Sequence, residues 1–204
     1  MRDDGPLPVF EIADGAVCTL LGPTLQRLVA LERAWGSGKR GEAADPIDDL
    51  LHRLGDDLER GATKSFGGDN SVANGSSIAF LFEYGGTSLL LTGDAYAPDL
   101  QRTIRRLLDD RKAPRLEVDL FKLAHHGSMN NVTSELLDLI APGTILICTD
   151  GTRFGHPDRE TIELLRKHYP TTPIQFTDDT PIIRERAALA GTVPPTSSPV
   201  ALRF

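Results

Sequence analysis

Cysteine is scarce in this chain. Cys18 and Cys148 are the only two, and they lie far apart in apolar stretches. A thiolate metal site needs more cysteines at tighter spacing, so none is expected. Buried free thiols in a reducing compartment fit better, and we expect a cytoplasmic protein. Long apolar runs are also missing. No stretch of 18 or more apolar residues occurs, which excludes a helical membrane span. The opening "MRDDGPLPVF" lacks the basic and apolar regions of a signal peptide. Positive charge is in deficit, with 22 Lys and Arg against 29 Asp and Glu and a net charge of −7. A broad basic face for nonspecific nucleic-acid binding is therefore excluded, and nucleic acid enters only as a substrate. Histidine is rare as well, at five in 204 residues. Two of the five stand side by side.

What is present reads as an α/β chain. The length suits one domain or slightly more, at about 150 residues each. Val17 to Leu21 is a strand-like run broken by Gly22-Pro23. Thr24 can cap a helix in which Leu25, Leu28, Leu31 and Trp35 share a face. Residues 1–36 thus form a strand plus a helix packing on the core. Residues 37–69 are small and charged. They read as a flexible linker with one marginal helix, where His52 faces solvent or packs.

From Asn70 the pattern tightens. "SIAFLFEY" and "SLLLTGD", joined by Gly85-Gly86, predict a hairpin. Both runs are nearly continuously apolar, so both sheet faces are expected to be covered. Leu100, Ile104, Leu107 and Leu108 mark a helix. "LEVDLFKLA" and "TILICT" are strands. Between them "TSELLDLIAPG" is a short helix, with Thr133 as cap and Pro142-Gly143 as stop. "HPDRETIELLRKHY" is a helix with Pro157 in its first turn. "IQF" and "VALRF" are short late strands, and "AGTVPPTSSPV" is a loop. Helices alternating with strands imply a layered α/β arrangement.

Three motifs follow predicted strands. They are "LLLTGDA" with Asp94, "FKLAHHGS" with His125, His126 and Ser128, and "TDGTRFGHPD" with His156. Strand ends along one sheet edge are where α/β proteins gather functional groups. Taken singly, a Gly-Asp is a turn former, and a histidine before a helix start is a cap. The pair His125-His126 before Gly-Ser is more specific. If both lay on the strand, they would point to opposite faces. One would then be the direct ligand and the other its helper.

Together the motifs resemble the second half of the metallo-β-lactamase superfamily, close to the hydrolase domain of competence-type DNA-uptake proteins. The likeness runs from about Asn70 to His168. It implies an α/β fold, a metallo-β-lactamase-like αββα sandwich, mainly its C-terminal half, over residues 70–204. It implies that Asp94 and His126 are metal ligands and catalytic. It places His125, Ser128, His156 and Asn74 in substrate contact or behind the ligands. "DNSVANGSS", with Asn70, Asn74 and Ser76, resembles the segment that replaces another ligand. The implied cofactor is a divalent metal, zinc or manganese. The implied activity is metal-dependent hydrolysis by activated water, on a phosphodiester or related ester.

One departure stands out. The family's HxHxDH motif is absent, although it supplies most of the metal ligands. A catalytic zinc takes about three protein ligands. Three readings follow. The chain is the C-terminal part of a split hydrolase, completed by a second chain carrying the N-terminal half. It is a catalytically incomplete binding or assembly module that uses a partner or self-association. Or it holds a single weakly bound metal.

Overall fold

The computed structural model describes residues 5–36 and 69–193. The readings of the linker over 37–68, of His52 and of a strand at "VALRF" lie outside those residues. The described chain forms one seven-stranded sheet with strands in sequence order. The strands are β1 (Val9–Ile12), β2 (Ala16–Gly22), β3 (Ala79–Tyr84), β4 (Thr87–Leu91), β5 (Leu116–Lys122), β6 (Ile140–Ile147) and β7 (Ile174–Phe176). The first four pair antiparallel, and β4 through β7 pair parallel. The helices are α1 (Leu25–Gly36), α2 (Val72–Gly75), α3 (Ala97–Arg111), α4 (Ser134–Leu137), α5 (Arg159–His168) and α6 (Pro181–Leu189).

Topology fixes where the core lies. Three successive parallel crossovers carry α3, α4 and α5. Each is right-handed by the general rule, and the strands advance in one direction, so all three helices fall on one face. Burial agrees with this. Thr19, Leu81, Leu90, Phe121, Ile145 and Ile174 lie in register across the sheet, and all are buried. All but Thr19 join one core with Leu100 and Ile104 of α3, Leu136 of α4, Ile162 and Leu165 of α5 and Ile183 of α6.

The opposite face differs. Its rows run Phe10, Cys18, Phe82, Leu89, Leu120 and Leu20, Phe80, Leu91, Lys122, Leu146. Of these only Leu120 is buried, and it lies outside the main core. The expectation that both faces are fully covered is therefore met on one side only, among the described residues.

Several local expectations are corrected. Helix α1 forms, but its stripe stays out of the core, with Leu25, Leu28 and Trp35 at 54%, 42% and 71% exposure. Pro142 and Gly143 do not stop a helix. They lie inside β6, which begins at Ile140, because α4 ends after a single turn. The β5–β6 pairing passes from Val118–Pro142 to Leu120–Thr144, with no pair at Gly143. A Cβ on Gly143 would sit 3.1 Å from the Asp119 carbonyl oxygen, so the irregular stretch tolerates proline and needs glycine. Pro157 precedes the cap of α5, which is Asp158, and so lies outside the first turn. Strand β1 and helix α6 have no counterpart in the sequence reading. Helix α6 carries a Thr180 cap and Pro181 in its first turn. No helix among the described residues is long and apolar enough to cross a membrane.

Candidate functional site

Three loops meet at the carboxyl ends of β4, β5 and β6, and hydrogen bonds of backbone and side chain lock them together. Thr92 Oγ1 donates to the Lys122 carbonyl at 2.7 Å. His125 N–H donates to the Gly93 carbonyl at 3.0 Å, and Asp158 N–H to the Gly127 carbonyl at 3.1 Å. The Asp158 carboxylate accepts the Met129 N–H at 2.9 Å. Each loop therefore holds its neighbour, which suits a site needing fixed side chains.

The histidine pair is not on a strand. Strand β5 ends at Lys122, and both histidines lie in the left-handed region, at φ 44° and 56°. The strand argument, which pointed them to opposite faces, does not apply. Their rings lie 6.1 Å apart. Two consecutive non-glycine residues in this region cost about 1–3 kcal/mol each, and such strain clusters at functional sites.

Each ring is tied at Nδ1. His126 Nδ1 lies 2.5 Å from the Cys148 carbonyl oxygen. A carbonyl only accepts, so Nδ1 carries a proton, and in the neutral ring Nε2 keeps the lone pair. That Nε2 lies 3.8 Å from Asp94 Oδ1, and both side chains are partly exposed. His125 Nδ1 lies 3.0 Å from Asp69 Oδ2 and 2.9 Å from Asn131 Oδ1. Its ring sits 5.5 Å from that of His156. His156 Nδ1 is buried without a hydrogen bond among the described residues, 3.5 Å from Asp158 Oδ1.

Asp69 is the hub behind His125, and the motif reading missed it. Besides His125, its carboxylate accepts Ser71 N–H at 2.9 Å, Asn74 Nδ2 at 2.8 Å and Asn131 Nδ2 at 3.1 Å. Burial alone would raise its pKa. The bonds from His125, Ser71, Asn74 and Asn131 outweigh burial and hold it below the usual value. Burial alone would lower His125. The bonds to Asp69 and Asn131 and the charge of Asp94 outweigh that and raise it. Asn131 is fully buried and also reaches the Asp94 and Ala95 carbonyls, at 3.2 and 3.3 Å. A signal was present for both residues. Asp69 opens "DNS", an Asx-turn pattern, and Asn131 closes "HHGSMNN".

Four of the sequence-predicted residues form two pairs. Asp94 and His126 face each other, and His125 and His156 neighbour one another. Asn74 serves the Asp69 carboxylate, and its backbone N–H bonds the Ser71 cap at 3.4 Å. Ser128 is buried, and its hydroxyl accepts the Asn130 N–H at 3.4 Å, as in a local turn. Ser76 Oγ donates to the Val72 carbonyl at 2.8 Å. Among the described residues, no group of three or more His, Cys, Asp or Glu is arranged to hold a metal ion. Asp94 and His126 have the right donor types and orientation, but they are two where about three are needed.

The fold is an α/β protein with a mixed seven-stranded sheet, its polar cluster at the carboxyl edge. No family model matches the chain. Over 131 residues it is 28% identical to ComE operon protein 3 of Bacillus subtilis (strain 168). That stretch covers 64% of this chain and 15% of the relative's length.

Proposed function

We propose that the chain is a hydrolase-lineage module, the C-terminal half of a metallo-β-lactamase-like αββα sandwich. In this reading Asp94 and His126 contribute two ligands to a zinc or manganese site that acts on a phosphodiester or related ester. One observation carries it. His126 spends Nδ1 on the Cys148 carbonyl and turns Nε2 toward Asp94. That is how a metal-ligating histidine is oriented by an outer partner. The "HHGS" and "TGD" resemblance and the partial likeness to ComE operon protein 3 support it.

Two ligands do not complete a catalytic zinc site. In this reading further donors complete the site. Calorimetric titration with Zn²⁺ and Mn²⁺ tests the reading. The full chain should bind weakly and saturably. Asp94→Asn or His126→Ala should weaken binding at least about tenfold, the effect of about 1.4 kcal/mol. Binding unchanged in both variants rejects the assignment.

A second reading is favoured by the partly exposed apolar rows on the sheet face opposite α3, α4 and α5. Here the chain is an assembly module. Its sheet face is covered by a partner chain carrying the other half of the fold, or by a second copy.

A further inference from the structure

Helix α5 links two places. Its amino end lies beside His156 in the candidate site. Its carboxyl end carries His168, about 15 Å away at 1.5 Å per residue over ten residues. His168 takes no part in the cluster at the sheet edge. Its ring, 13% exposed, spans the short helix α4. Ser134 Oγ, at the first position of α4, lies 2.9 Å from His168 Nε2. Asp138 Oδ1, at the end of α4, lies 3.2 Å from His168 Nδ1.

The two ring nitrogens are used in a defined order. Asp138 Oδ1 lies within ion-pair reach of Nδ1, and a carboxylate there favours the proton on that nitrogen. The Nε2 lone pair then accepts the Ser134 hydroxyl proton. This is the sequence nucleophile, base, orienter. The Ser134 hydroxyl is not needed elsewhere. Thr133 caps α4 by accepting the Leu136 N–H at 3.3 Å, and Ser134 Oγ makes no other hydrogen bond among the described residues. Ser134 is half-buried and the Asp138 side chain is 66% exposed, so reagents can reach the group from solvent.

We propose that Ser134 is a nucleophile, activated by His168 and aligned by Asp138, that accepts the acyl group of small activated esters. Ser134 Oγ bonds to the ester carbonyl carbon while its proton passes to His168 Nε2. The bond from that carbon to the leaving alcohol breaks, and the departing oxygen takes the proton. Water then gives a proton to His168 as its oxygen bonds to the acyl carbon. The Ser134 oxygen leaves, regains the proton, and a carboxylic acid is released. Ser134 and His168 are the catalytic residues, and Asp138 is a positioning residue.

The test uses the full chain, 4-nitrophenyl acetate and a chelator, which removes any metal contribution and keeps the result separate from the metal reading. Nitrophenolate release and peptide mass mapping are followed together. The wild-type chain should carry an acetyl group on Ser134. His168→Gln should acetylate there at least about 100-fold more slowly, the lower end of general-base assistance. Asp138→Asn, an exposed change that spares the fold, should also slow acetylation. Ser134→Ala should carry no acetyl group in that peptide while melting like wild type. An unlabelled Ser134 in the folded wild type overturns the proposal. So does labelling at the wild-type rate in both His168→Gln and Asp138→Asn.

Discussion

A Cβ built on Gly127 would lie 2.6 Å from the Cβ of Pro157. The loop after β5 and the loop after β6 are therefore in contact through the one residue with no side chain. Gly127 also sits at φ 84°, where an L side chain is strained. Gly127→Ala should meet both penalties, about 1–2 kcal/mol for the backbone and about 1–3 kcal/mol for the clash. We expect a loss of about 2–5 kcal/mol in urea unfolding. A loss under about 1 kcal/mol would mean that the two loops separate easily.

Asp69 should matter more to stability than its position suggests. It gathers four donors, from His125, Ser71, Asn74 and Asn131. Its side chain is only 8% exposed, so water cannot replace them. Asp69→Ala should cost about 3 kcal/mol or more, because several buried donors lose their acceptor. Asp69→Asn keeps one acceptor oxygen and should cost about 1–3 kcal/mol. Denaturant midpoints of the two variants check the order. Equal midpoints for both variants and wild type would show that the network contributes nothing.

The sequence made some of this plain and hid the rest for physical reasons. The hairpin at Gly85-Gly86 and helices α3 and α5 were legible because their apolar residues repeat at the strand or helix period. Asp94 and His126 could be singled out only because "TGD" and "HHGS" resemble a known pair of motifs, and the two side chains lie 3.8 Å apart. The second half of strand β6 was legible as "TILICT", but its first half was hidden by Pro142-Gly143, which reads as a stop unless the neighbouring Asp119 carbonyl is known. Asp69 and Asn131 were hidden because their role is long-range. A hydrogen bond from Asn131 to Asp69 spans 62 positions, and no local period records it. The triad-like group at Ser134, Asp138 and His168 joins α4 to the far end of α5, so spacing within one element could not show it.

Two tyrosines should shape the alkaline limb of stability. Burial is the main cause of a raised pKa at both, pushing Tyr96 to about 12 and Tyr169 higher still. The folded state thus holds these protons more tightly than the unfolded state, where tyrosine titrates near 10. Their contribution is complete below pH 10 and is lost as pH rises above it, by up to about 1.4 kcal/mol per unit for each group. Tyr169→Phe removes one such proton. The slope of unfolding free energy against pH between about 10 and 11.5 should fall by one proton. At pH 7 the variant should lose about 1 kcal/mol, since Tyr169 no longer donates to the Leu137 carbonyl. Arg115 still reaches that carbonyl at 3.3 Å, which limits the loss. An unchanged slope would exclude Tyr169 as a source of the alkaline limb.

The two faces of the sheet should answer mutation differently. Leu90 is fully buried against the helices. Leu90→Ala should cost about 2–5 kcal/mol, the range for emptying a packed leucine site. Phe82 and Leu20 lie on the other face and keep partial exposure. Each contributes apolar area that water still touches, at about 25 cal/mol per Å² if another surface were to cover it. Leu20→Ser with Phe82→Ser should therefore cost the isolated chain less than Leu90→Ala, and should abolish any association through this face. Sedimentation at rising concentration, beside denaturant unfolding, separates the effects. If the wild type associates and the double variant stays monomeric, a second copy is the cover. Wild-type monomers at every concentration would leave a partner chain as the cover. A double variant as unstable as Leu90→Ala would show that the face is already closed within this chain.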